Sequence, residues 1–144
     1  MSETKVRPDE LEDEREFRAQ YSETPLCVYR KLKDRARIKD GEGRNLIGYE
    51  ELNQECHLGL DFKEHYHRDS NVIGNYAGAV SEFEVKKGRP MLSAVLVHVA
   101  SPIGPGRGFY DFADELGQRK PGETDNQMWI RILNECHAYW SQHP

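Results

Sequence analysis

Residues Pro90-Met91-Leu92-Ser93-Ala94-Val95-Leu96-Val97-His98-Val99-Ala100-Ser101-Pro102 hold the most continuously apolar stretch of the chain. Between the prolines, Met91 to Val99 is rich in aliphatic and β-branched residues and lacks polar alternation, as in a strand buried on both faces. The span is expected to form the centre of the core. Read outward from it, the fold is α+β: mostly helical, with a short β-sheet built around strand 91–99. The segment Ser101 to Gly108 then packs two prolines and three glycines into eight residues, a loop that must take unusual dihedrals. It leads into a helix marked by Phe109, Phe112, Ala113 and Leu116 and closed by Gly117.

Upstream, Ser70 is a suitable N-cap, and Ile73, Ala77, Val80 and then Phe83 or Glu84 recur at helical spacing to about Lys87, with Gly88 as the stop. Gly74 and Gly78 share one face of that helix. Glycine costs about 1 kcal/mol against alanine inside a helix, so the pair points to close approach of another backbone, or to room for a ligand or nucleic-acid backbone. Thr24 as N-cap with Pro25 at the first helical position begins an earlier helix, with Leu26, Tyr29 and Leu32, fading near Ile38. Asp40 to Arg44 reads as a turn, and Tyr49, Leu52 and Cys56 mark a short helix ended by Gly59.

At the N-terminus, Pro8 followed by Asp9 and Glu10 suits a first helical turn, giving an acidic helix or extension over residues 1–21. Its apolar stripe is thin, so it is expected to dock lightly or fray, and residues 22–144 form a single domain. The last helix is signalled by the capping box of Thr124 and Gln127 and by the stripe Met128, Trp129, Ile132, Leu133, Cys136 and Trp140. That stripe packs on the core, or offers Trp129 or Trp140 to a partner.

The 144 residues suit one core, and a charged share of 31% against 37% hydrophobic implies a solvated periphery. No run approaches the roughly 18 apolar residues that span a bilayer, and acids stand where a signal peptide needs an apolar stretch. A cytoplasmic protein without membrane contact is expected. Cys27, Cys56 and Cys136, widely spaced and odd in number, read as reduced core thiols. A net charge of −5 argues against indiscriminate nucleic-acid binding, but its distribution is uneven. Asp9 to Glu16 is acidic, whereas Arg30, Lys31, Lys33, Arg35, Arg37 and Lys39 follow with only Asp34 among them, and Lys86, Lys87 and Arg89 form a second cluster. The basic run would either neutralise phosphates or form a solvated helix face.

Cys56, His57, His65 and His67 collect soft and borderline donors in a short span, but the spacing matches no zinc pattern, and neighbours on a helix point about 100° apart. No metal or other cofactor is expected. A dinucleotide fingerprint, a nucleophile elbow and paired carboxylates are also missing. His98, at the end of the apolar run, would suit acid or base work, with Asp111, Asp114 or Glu115 to orient it and Ser101 or Tyr110 to take its proton. The loop Gly104-Pro105-Gly106-Arg107-Gly108 combines an arginine with the amides of a helix start, which suits an anion. It lacks the lysine and hydroxyl residue of a Walker A loop.

A helix containing Val28 and Tyr29, a turn, the phrase Gly48-Tyr49-Glu50-Glu51-Leu52, a helix with Gly74 and Ala77, a buried strand and then Gly106-Arg107-Gly108-Phe109 follow in that order. This arrangement resembles the winged helix-turn-helix core of alkylguanine-DNA alkyltransferases and alkyltransferase-like proteins over residues 26–117. The family's proline-cysteine-histidine-arginine string is absent from Met91 to Val99, so alkyl transfer is not implied. Asn71 stands where the family has its DNA-entering arginine, with Arg68 three residues earlier. What the resemblance implies is a winged-helix-like scaffold in which Arg68 to Tyr76 begins the helix that faces a groove.

The combined reading is a non-enzymatic module that binds DNA or a DNA-bound protein. Its contacts would be Arg30, Lys31, Lys33, Arg35, Arg37, Arg68, Asn71, Asn75 and Arg107. An acidic segment before residue 21, folded over the basic helix, would weaken that binding. The alternatives are a small enzyme using His98 and a protein-interaction adaptor.

Overall fold

Glycines and turns cut the chain where the helical pattern lapses. The computed structural model describes residues 8–38, 45–99 and 102–143. Lys39, the turn from Asp40 to Arg44, and Ser101 lie outside the described residues. Those described form α1 (Pro8–Gln20), α2 (Glu23–Ala36), β1 (Ile47–Gly48), α3 (Tyr49–Glu55), α4 (Tyr66–Lys86), a 3-10 turn (Leu92–Val95), β2 (Leu96–Val97), α5 (Arg107–Glu115) and α6 (Asp125–Ser141). The fold is mostly helical, with one two-stranded parallel sheet that pairs Ile47 with Leu96 and Gly48 with Val97. Gly88 and Gly117 stop α4 and α5 at φ of 76° and 70°, where a side chain would be strained.

Met91 to Val97 is buried as expected, but it is not a long strand. Four of its residues coil into the 3-10 turn and only Leu96 and Val97 pair in the sheet. Helices supply what a β-ladder would have satisfied. Ser81 accepts from the Ser93 amide at 3.0 Å, Trp129 Nε1 donates to the Ala94 carbonyl at 2.9 Å, and Cys136 Sγ lies 3.1 Å from the Met91 carbonyl. The segment is thus a plug inside α2, α4 and α6. Both α6 indoles turn inward, Trp129 at 9% and Trp140 at 3% exposure, so neither forms the surface an adaptor reading requires.

Helix α1 is more than a fraying extension. Phe17 is fully buried, and its ring lies 4.9 Å from Tyr29 and, edge-on, 5.3 Å from Phe83. Around this anchor the acids of α1 meet basic residues: Glu10 reaches Lys33 at 3.0 Å and Arg37 at 2.9 Å, Glu14 pairs with Arg30, and Asp13 reaches Arg89 at 2.9 Å. Arg89 also pairs with Glu84, a carboxylate with no exposure whose pKa burial pushes up.

Cys27 and Cys56 are not free thiols but a disulfide that joins α2 to the end of α3. Cys136 is the free, buried cysteine, and burial pushes its thiol up, so it acts as a small core hydrophobe. The α2–α3 seam is reinforced by Arg35, which donates to the Leu46 carbonyl and pairs with Glu51 and Glu55.

Candidate functional site

Helix α4 begins four residues before the expected cap at Ser70. The signal lies in Asp61, whose carboxylate accepts from the amides of Lys63 at 3.0 Å and Glu64 at 3.1 Å and so turns the chain into the helix. Asp69 locks that turn by accepting from the Asp61 amide at 2.7 Å and from Arg68 Nε at 2.9 Å, and these bonds hold its pKa below the usual range. Starting early, α4 carries Ser70, Asn71, Gly74, Asn75 and Gly78 along one wall of a cleft of about 670 Å³. Helix α5 forms the opposite wall. The two run in the same sense along it, since Tyr66 approaches His98 next to Gly106 at one end and Gly78 faces Phe112 further on.

The end nearest the start of both helices is aromatic. Tyr49, the first residue of α3, stacks on His98 with ring centroids 4.2 Å apart and planes 12° from parallel, and Tyr66 lies 6.3 Å from the same imidazole. Gly106 closes this corner: a Cβ there would stand 2.8 Å from Tyr49 Oη and 3.1 Å from His98 Nε2, so a larger residue would displace one of the two rings. The His98 amide donates to the Gly104 carbonyl at 2.8 Å, which folds the proline-glycine loop back beside the cleft. Partial burial lowers the His98 pKa, keeping the ring neutral at pH 7, and desolvation raises that of Tyr49.

The cleft is charged unevenly. Arg107 is the cation of its lining, with Arg68 nearby on α4, whereas the acids Asp111, Glu82 and Glu115 also line it, the last two toward the far end. Arg68 and Arg107 are 67% and 79% exposed, and each pairs with an acid on its own helix, Asp69 at 2.9 Å and Asp111 at 3.5 Å. The buried Ser70 hydroxyl has no hydrogen-bond partner among the described residues.

Gly74 has an ordinary φ and a Cβ there would meet nothing within 4 Å, so of the two expected reasons for this glycine close backbone approach does not apply, and open room beside the helix does. The expected close packing is absent at Gly74, and at Gly78 the neighbour is the Phe112 side chain, not a backbone. Gly108, near the start of α5, is likewise open. Two exposed glycines that line the cleft thus cost helix stability without serving packing, and each leaves open space beside its helix. No protein-family model matches the chain, and no curated protein or solved structure matches it.

The cleft gathers Asn71, Asn75 and Arg107 from the residues expected to bind, and Arg68 stands next to it on α4 without lining it. The other group lies elsewhere and is engaged within the fold. Lys33 is 1% exposed, bound to Glu10 and set 4.4 Å over the Tyr29 ring. Arg30 pairs with Glu14, Lys31 and Arg35 with Glu55, and Arg37 with Glu10. His98 faces the cleft rather than the core, but among the described residues no carboxylate lies within ion-pair reach of it, and Asp114 is bound to Arg119 instead. Among the described residues no three His, Cys, Asp or Glu side chains converge as metal ligands, and Cys56 is occupied by its disulfide. Tyr49, Tyr66 and Ser70 were the members of this site that sequence reasoning missed.

Proposed function

We propose that this protein is a nucleic-acid-binding module that engages its target across the mouth of the α4–α5 cleft. The open face of α4 at Gly74 carries this reading, since it lines the same cleft as Arg107 and the Tyr49–His98 stack. Phosphates would contact Arg107 and Arg68, exposed cations whose ion pairs are confined to their own helices, and the free amides at the start of α5 would add to the field. Asn71 and Asn75, both exposed on α4, would supply donors and acceptors to base edges. Tyr66 and the Tyr49–His98 stack present π-faces at the same end.

The winged-helix likeness points the same way, because α4 then corresponds to the groove-facing helix and the loop before α5 to an adjoining arm. On this reading the basic run of α2 is a scaffold, bound down by α1 and α3, and not the contact surface. The acid-base alternative centred on His98 lacks an orienting carboxylate and is the weaker of the two.

The test is a fluorescence-anisotropy titration of labelled single- and double-stranded oligonucleotides against the full chain at several salt concentrations. Binding is expected with a log–log salt slope on duplex of about −2, from the two arginines, and Arg107→Gln should shallow it by about 1. Absence of binding to every oligonucleotide at the lowest salt would overturn the proposal.

A further inference from the structure

The α4–α5 cleft is polarised along its length. Arg107 stands at the aromatic end, held only loosely by Asp111 one turn further along its own helix. There α5 also begins, on the cap residue Gly106, so no side chain satisfies the amides of its first turn. The buried Ser70 hydroxyl, without a hydrogen-bond partner among the described residues, belongs to the same lining. The far end is acidic. Glu82 of α4 and Glu115 of α5 line it; Glu82 has Lys86 at 3.0 Å, and Glu115 makes no ion pair among the described residues.

Between these poles the α4 wall presents Asn71 and Asn75, both exposed and neither with a hydrogen-bond partner among the described residues. A carboxamide donates and accepts, as a peptide group does. Four helical residues rise about 6 Å. Two residues of extended chain advance about 6.6 Å, the interval at which side chains return to one face. Two carboxamides at that spacing therefore match alternate residues of an extended backbone, and the open face at Gly74 lets such a backbone lie close to α4. From Arg107 to Glu115 the axis of α5 rises about 12 Å, the length of three or four extended residues.

We infer that the cleft takes the carboxy-terminal segment of a partner protein in extended conformation. Its terminal carboxylate meets Arg107 and the first amides of α5, a recurring mode of peptide capture. Its backbone runs along Asn71 and Asn75, and a lysine or arginine three residues before the end reaches Glu82 and Glu115. The last side chain lies against Tyr66 and the Tyr49–His98 stack, which suits an apolar or aromatic residue. This goes beyond the nucleic-acid reading, which uses the aromatic end alone. The acids select the occupant. A polyanion running the length of the cleft would set phosphates against Glu82 and Glu115, whereas a chain with one anionic end and one cationic side chain complements both poles.

The experiment titrates the full chain, without nucleic acid, against a hexapeptide labelled at its amino end and read by fluorescence anisotropy. The peptide ends in phenylalanine with a free carboxylate and carries lysine three residues earlier. Binding is expected, and amidating the carboxylate or exchanging the lysine for glutamate should weaken it about tenfold or more. Variants with exposed substitutions, their folds checked by melting temperature, assign the poles. Arg107→Gln should bind the acid and the amide alike, and the double variant Glu82→Gln, Glu115→Gln should no longer prefer lysine to glutamate. Equal affinity of wild type for acid and amide, or no binding at millimolar protein, would overturn this inference while oligonucleotide binding still tests the other reading. A chain that binds the peptide with these preferences but no oligonucleotide would sustain it and overturn the nucleic-acid reading.

Discussion

At Gly74 stability and the proposed binding are expected to respond in opposite directions. Replacing it with alanine removes the entropic cost of a helical glycine and adds a methyl group that meets nothing in the free protein. The variant should therefore be more stable by about 1 kcal/mol in urea unfolding, yet bind oligonucleotides more weakly. A glycine kept for packing would give loss of stability instead. Such a position was partly legible in the sequence: the pair Gly74 and Gly78 stands out in a helical pattern, but whether the face is filled or open depends on α5, which arrives much later in the chain. The Tyr49–His98 stack was hidden for the same reason, since its two rings come from α3 and from the end of β2. Thr124 and Gln127, by contrast, announce their capping box from sequence alone because every atom of it lies within one turn.

At the scale of elements, α1 is joined to the body by one aromatic anchor and a fringe of ion pairs. The anchor carries most of the energy. Phe17→Ala should cost about 3–5 kcal/mol in urea unfolding, because it empties a site enclosed by Tyr29 and Phe83, whereas exposed pairs such as Lys87–Glu16 contribute about 1 kcal/mol or less. Composition hid this. The charges of α1 are plain to the eye and its single buried ring is not, so the segment reads as a loosely held extension. The apolar run after Pro90 misleads in the other direction. Its hydrophobicity foretells burial correctly, but whether a buried segment extends or coils depends on which groups meet its backbone, and here they are Ser81, Trp129 and Cys136. A strand needs a neighbour of matching length, and β1 offers two residues.

Across the whole molecule, the disulfide closes a loop between residues 29 apart in sequence and fixes α3, and with it Tyr49, against α2. Constraining the unfolded chain over such a loop is worth about 3–4 kcal/mol. Reduction, or the double substitution Cys27→Ser, Cys56→Ser, should lower the melting temperature measured by circular dichroism and weaken oligonucleotide binding, as the Tyr49 wall loosens. Widely spaced cysteines carry no pairing information of their own, which is why the bond could not be read from the sequence. Arg37 performs a similar closure without a covalent bond. Its guanidinium binds Glu10 at 2.9 Å and the His143 carbonyl at 3.1 Å, so one side chain spans the two extremities of the described polypeptide. The order of the helices in space is therefore almost independent of where the chain is cut. A circular permutant that joins His143 to Pro8 by a short linker and opens at the exposed Pro121–Gly122 turn should retain the same architecture.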